Sequence, residues 1–196
     1  MTHLDGLEEV AEAAKQVQFL ENTLLKNRTL TLFGELDQDV ARRTTEKLLA
    51  LSFESDDLIT LYIGSPGGHV ESGDTIYDMI RYIRPTVRAI GTGWVGSIAT
   101  HIYLAPEKEH RFCLPNTRFL IHQPAGGFGG TAADVEIHAR EIVKTRARIN
   151  AIIAERTGQP VERVERDTNR DYWMSPEESV EYGLVGRIIS SLDDLD

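Results

Sequence analysis

Cysteine is nearly absent. Cys113 is the only one among 196 residues, so no disulfide can close within the chain, as suits a reducing compartment. Positive charge is also scarce. Twenty-one Lys and Arg face 31 Asp and Glu, a formal net charge of -10. Phosphate binding needs clustered cations, so a nucleic-acid partner is excluded, and an anionic membrane surface is disfavoured. No apolar run approaches the roughly 20 residues that cross a bilayer. The opening MTHLDGLEEVAEAAK is acidic and lacks an apolar signal core. The expectation is a soluble, cytoplasmic protein. No Walker loop is present, so the chain itself is not expected to hydrolyse ATP. None of the six histidines has an HExxH-type spacing, so neither metal nor cofactor is expected. The GxSxG elbow of the alpha/beta-hydrolases is missing too.

What is present suits one domain with a single core, with 41% apolar residues and no fixed repeat. Leu7, Val10, Ala14, Val17, Leu20 and Leu24 recur at helical steps across 7–26. TLTLFG (29–34) reads as a strand ended by Gly34, and 38–52 as a helix. LITLYIGS (58–65) is nearly continuous in apolar residues, as a strand buried on both faces would be, and SPGG (65–68) is expected to break it. A helix over 71–83 stops before Pro85, and TVRAIG (86–91) is the next strand. A helical stretch at 96–105 precedes strands at 110–114 and 117–122. Residues 131–157 form a long helix, either a projecting arm or a cover for the sheet. Short helices at 160–168 and 175–182 lead to a last strand at 184–189. Strands alternating with helices imply repeated strand-helix-strand units and a mainly parallel sheet.

A serine becomes nucleophilic only when an imidazole takes its proton and a carboxylate holds the imidazole's tautomer. Ser97 follows Gly96 after a strand and opens a helix, where free N–H groups favour developing negative charge. A helix-capping serine would look the same. His122 ends a strand beside Pro124, which suits either a cleft or a structural role. Gly67-Gly68 lets backbone approach a ligand closely or simply turns the chain. Within ERDTNRDYWMS (165–175), the residues alone do not separate Asp171 from Asp167.

SPGG (65–68), GSIA (96–99), RFCLPNTRFLIHQPAGG (111–127), DVEIHAREI (134–142), ERDTNRD (165–171) and SPEESVEYGLV (175–185) together resemble the Clp protease proteolytic subunit family. The match runs in order over roughly 19–190. The resemblance implies a crotonase-like α/β fold with β-α-β units and a projecting long helix, in two stacked seven-membered rings of one or two subunit types. It implies Ser97, His122 and Asp171 as catalytic triad, with the amides of Gly68 and Ile98 as oxyanion hole. Gln123 to Gly129, Gly127 included, fall where a strand aligns substrate and rings meet, and Arg170 matches a ring-contact arginine. Tyr62, Tyr82 and Leu114 match the pocket where a Clp-type unfolding AAA+ ATPase docks. The implied activity is serine endopeptidase cleavage of unfolded proteins inside the ring chamber.

The chain departs from the family at several points. Gly96 and Ile98 flank the serine where another small residue and Met are usual. Thr100 and His101 replace small or apolar residues, and Thr60 replaces a common aromatic. Residues 1–18, expected to form a separate axial-loop segment before the peptidase domain at 19–196, lack the family's apolar-Pro-apolar and Gly-Glu-Arg signatures. Two other readings are a weakly active or regulatory ring subunit beside an active paralogue, and a crotonase-type acyl-CoA enzyme.

Overall fold

The helical pattern at the start of the chain forms α1 (His3–Lys26), which runs without a break through residue 18. The structure, a computed structural model, describes residues 3–127 and 129–195, the side chains of 3–11 and 13 excepted. Leu7 and Val10 therefore lie outside the described side chains. β1 (Thr29–Leu36) outlasts the expected stop at Gly34. The single residue Gly34 faces two residues of the neighbouring strand, Ser65 and Pro66, and pairing resumes at Glu35. The Asp37 carboxylate caps α2 (Gln38–Glu54) by accepting from the Val40 amide at 2.7 Å.

β2 (Ile59–Gly68) also outruns its expected break. Ser65-Pro66-Gly67-Gly68 does not break the strand; it continues it, paired with Glu35 and Leu36 of β1 through Gly67 and Gly68. Ile59, Leu61 and Ile63 are fully buried, but Thr60 and Tyr62 on the opposite face are half-buried, so the strand is covered fully on one face only. α3 (Val70–Tyr82) returns the chain to β3 (Val87–Gly96), which is longer than TVRAIG alone. After α4 (Ile98–Tyr103) come the short strands β4 (Arg111–Cys113) and β5 (Arg118–Ile121).

α5 (Ala132–Thr157) opens with a Thr131–Asp134 capping box and closes at Gly158 in the left-handed conformation. Both readings of this helix hold, each for one half. Ile149, Asn150 and Ile153 are buried where the helix joins the main core beside α4, whereas Val135, Ile137 and Val143 stand exposed on an arm. α6 (Val161–Asp167), β6 (Tyr172–Met174) and α7 (Pro176–Tyr182) follow. The final strand β7 is only Arg187–Ile188, since 184–186 are irregular, and a 3₁₀ turn at Leu192–Leu195 follows it.

The sheet runs β1-β2-β3-β4-β7, all parallel, and forks at β3. Ala89–Gly91 pair with β4, whereas Trp94–Gly96 pair with β5. The strand changes partner across Thr92-Gly93, where Gly93 takes φ +60°. β6, not anticipated in the sequence, adds antiparallel to β5 at the far side of the fork.

Candidate active site

Ser97 stands on the first residue beyond the forked strand, with φ +55° and ψ −130°. Backbone angles of this kind cost a non-glycine residue on the order of 1–3 kcal/mol and persist only where surroundings over-determine them. Here they do. The Ser97 amide donates to Leu120 O at 2.9 Å. The buried Thr100 hydroxyl reaches both Val95 O and Leu120 O at 3.0 Å, tying β3 to β5 beneath the serine. On the other side a Cβ on Gly67 would lie 2.7 Å from Ser97 Cβ and 3.1 Å from Ile98 N. Glycine is required there both by this contact and by φ +99°. A Cβ on Gly68 would likewise lie 2.3 Å from Leu36 O. Gly67 thus lets β2 press against the start of α4, and Gly68 lets it press against β1. Ile98 is the first residue of α4, where an N–H has no intrahelical acceptor.

His122 follows the last residue of β5. Its Nε2 lies 2.8 Å from Ser97 Oγ, and its Nδ1 lies 2.9 Å from Asp171 Oδ1. The antiparallel register explains why Asp171 and not Asp167 arrives there. Ile121 pairs with Tyr172, so the residue after Ile121 and the one before Tyr172 are brought opposite each other. Asp167, at the end of α6, is engaged elsewhere. It accepts from the Tyr182 hydroxyl at 3.2 Å and lies 3.4 Å from Arg163 Nε. The loop carrying Asp171 is tethered beside His122: Gln123 N donates to Thr168 O at 2.6 Å and Gln123 Nε2 to Asn169 O at 2.8 Å. Asp171 itself remains 64% exposed and His122 29%. A carboxylate on Nδ1 leaves Nε2 free to take the serine proton, so the array is arranged for nucleophilic attack by Ser97.

A cavity beside Ser97 is walled by Val70, Ile98, Ile121, Pro124, Ile149 and Ile153, with His101 on its lining. Gly73 permits the β-branched Ile98, since a Cβ there would lie 2.1 Å from Ile98 Cγ1. His101 is 2% exposed. Its ring stacks on Tyr77 with centroids 4.3 Å apart. Nε2 lies 3.3 Å from Asp74 Oδ1 without a well-aligned hydrogen bond, and no described residue partners Nδ1. Asp74 in turn holds Arg148 of α5 in two hydrogen bonds of 2.9 and 2.6 Å. Burial raises the Asp74 pKa, but the adjoining His101 ring and the Arg148 guanidinium outweigh it and bring it from 3.8 to about 2.

The remaining candidates are dispersed. Arg170 is exposed on an open cleft shared with Gln123, Pro124 and Ile142 of the α5 arm, and no described residue pairs with its guanidinium. Gly127 lies in irregular, exposed backbone after Gln123; Phe128, within the segment expected to align substrate, lies outside the described residues. Tyr62 and Leu114 pack together against buried Ile90, Phe112 and Ile189, with Leu195 from the terminal turn. Tyr82, 79% exposed on the last turn of α3, stands apart from that cluster. Among the described residues no helix is long and apolar enough to cross a membrane, and no three His, Cys, Asp or Glu side chains converge as a metal site would require.

Sequence reasoning missed two features. One is β6, whose β-prone Tyr-Trp-Met was a signal too short to weigh. The other is the His101–Asp74–Arg148 chain, whose members are scattered in sequence; only the odd polar residues Thr100 and His101 in an apolar stretch pointed to it.

The Clp protease family profile matches residues 12–192. The "ATP-dependent Clp protease proteolytic subunit 3" of Rhizobium etli is 53% identical over 175 residues, covering 89% of this chain and 90% of the relative. The "ATP-dependent Clp protease proteolytic subunit" of Paracoccus denitrificans is 47% identical over 190 residues, covering 97% and 96%. Among solved structures, "ClpP1 from Listeria monocytogenes" superposes with a TM-score of 0.83 at 49% identity, covering 90% of this chain and 99% of that one.

Proposed function

Because the chain belongs to the Clp protease family and is a serine peptidase subunit of it, we propose that Ser97 is its nucleophile, His122 the general base and Asp171 the residue that orients the base. The observation that carries the assignment is the continuous hydrogen-bonded run from Ser97 Oγ through both imidazole nitrogens to Asp171, at 2.8 and 2.9 Å. His122 Nε2 takes the hydroxyl proton as Ser97 Oγ attacks a peptide carbonyl. The same proton then passes to the leaving amine, the C–N bond breaks, and water releases the acyl group by the reverse use of the base. The amides of Gly68 and Ile98 stabilise the oxyanion, where the loss of one donor costs about 3 kcal/mol in the transition state.

Proteolytic subunits of this family act with Clp ATPases in ring assemblies. Within that frame two stacked seven-membered rings, of this chain alone or mixed with a second subunit, enclose the sites and admit unfolded protein. Residues 1–18 serve as the axial segment. Arg170, Gln123 and Gly127 meet the opposing ring, and Tyr62 and Leu114, with Tyr82 from a neighbouring position, receive the ATPase. The exposed apolar residues Phe19 and Leu20 of α1 and Val135, Ile137 and Val143 of α5 support assembly, since water-facing apolar side chains on otherwise charged helices invite a covering partner.

A fluorophosphonate probe tests the central assignment. It should modify Ser97 and leave Ser97→Ala unmodified; peptide cleavage by Ser97→Ala at the wild-type rate would overturn it.

A further inference from the structure

Asp171 has the least support of the three groups. Among the described residues His122 is the only hydrogen-bond partner of its exposed carboxylate, so the backbone must do the aiming. On one side the pairing of Tyr172 with Ile121 fixes the chain. On the other side Asn169 and Arg170 are exposed, and the first buried residue is Thr168, at the C-terminal end of α6. Thr168 is held from three directions. Its hydroxyl lies 3.0 Å from Asn150 Oδ1 on the covered half of α5 and 2.8 Å from Val164 O. Its amide donates to Val164 O at 2.8 Å, and its carbonyl accepts from the Gln123 amide at 2.6 Å. Gln123 directly follows His122, so imidazole and carboxylate both reach back to this one fixed residue.

Asn150 is buried on the same stripe as Ile149 and Ile153. A leucine facing a valine would fill this space without desolvating polar groups, so stability alone does not account for the pair. The Asn150 Nδ2 has no partner among the described residues, a further cost of keeping an amide here. What the pair adds is direction, because a hydrogen bond fixes an angle as well as a distance. We propose that Asn150 and Thr168 are positioning residues for the reaction: their buried hydrogen bond sets the turn from which the chain delivers the Asp171 carboxylate to His122 Nδ1. This rests on the reading of Asp171 as the orienting acid. Asp171 lies only three residues beyond Thr168, so a rotation at Thr168 is carried to the carboxylate. A displacement of about one ångström there costs about 100-fold in rate. The Gln123 side chain is a second tie on the same turn, its Nε2 donating to Asn169 O at 2.8 Å.

The test uses the full chain in its assembled form and a short fluorogenic peptide, with thermal melting and sedimentation measured on every variant. Thr168→Val removes only the hydroxyl and should lower kcat about 10- to 100-fold, with KM within about twofold of wild type. Thr168→Ser keeps the hydroxyl and should hold kcat within about threefold of wild type. Asn150→Leu combined with Thr168→Val strands neither partner, so melting temperature and particle size should match wild type while kcat stays low. Wild-type kcat in that combined variant makes the pair plain packing and overturns the proposal. In an Asp171→Ala background, Thr168→Val should cost nothing further, because no carboxylate remains to be aimed. A further loss of about tenfold or more there overturns the proposal as well, since the hydroxyl would then act on something other than Asp171. Wild-type activity in Asp171→Ala itself is a separate outcome: it removes Asp171 from the triad, and the role of the pair falls with it.

Discussion

Ser97 is held on backbone packed from every side, whereas His122 and Asp171 stand at a margin open to solvent. Beneath the serine, Thr100 ties two strands, Gly67 leaves no room for a side chain, and Leu120 O accepts the serine amide. On the other side, His122 leads into an exposed loop, Asp171 is mostly in water, and Arg170 beside it has no described partner. The difference teaches where the chain supplies its own rigidity and where it leaves rigidity to be supplied. The strained serine needs a core to hold it, and the core provides that. The imidazole–carboxylate pair is held by one short antiparallel strand and two loop hydrogen bonds, so a neighbouring subunit is the natural source of further restraint.

The contrast can be broken most severely at the packed side. Ser97→Ala should lower peptide hydrolysis on the order of a million-fold, as loss of a triad nucleophile does, with assembly intact by sedimentation. Gly67→Ala should cost activity about 100-fold. The new methyl meets Ser97 Cβ at 2.7 Å and displaces the nucleophile, and φ +99° adds strain that should also lower the melting temperature.

Asp74→Asn probes the support under the cavity. The folded pKa of Asp74, about 2, lies below its ordinary 3.8. Its contribution to stability is therefore complete above pH 3.8 and disappears as pH falls through about 2. The shift corresponds to about 2 kcal/mol. Denaturation at neutral pH should show that deficit in the variant, and the gap should close between about pH 4 and pH 2. A gap unchanged at pH 2 would place the loss in packing instead.

The smallest effect belongs to the open side. Arg170→Ala should reduce peptidase activity about tenfold, a part of what an ångström of displacement costs, and should give smaller particles on sedimentation. Full particle size with full activity would make Arg170 an ordinary surface residue and the margin self-sufficient.

Much of the packed side was legible in the sequence, because it follows from periodicity. The run ITLYI buries Ile59, Leu61 and Ile63 on one face while Thr60 and Tyr62 on the other are only partly covered, and the steps of three and four along α5 mark its buried stripe at Ile149 and Ile153. The limits were equally physical. SPGG reads as a turn because glycine and proline usually end strands; here Ser65-Pro66 forms a bulge opposite the single residue Gly34, and pairing resumes at Gly67. The two halves of α5 share one periodicity, and only the extent of the sheet decides which half is covered. The choice of Asp171 over Asp167 turns on the pairing of Ile121 with Tyr172, a long-range contact that no local pattern encodes. The resemblance to a known family named Asp171, while the antiparallel register supplies the physical reason.

That register also has a meaning in time. Ser97 and His122 are both made well before Tyr172–Met174, and the strand that aims the carboxylate cannot form until those residues exist. A growing chain therefore carries a serine and an imidazole with no fixed tautomer between them, a state in which a triad retains about one ten-thousandth of its turnover. Synthesis must pass residue 174 before the proposed triad can be completed, so until then the serine waits beside an unaimed base.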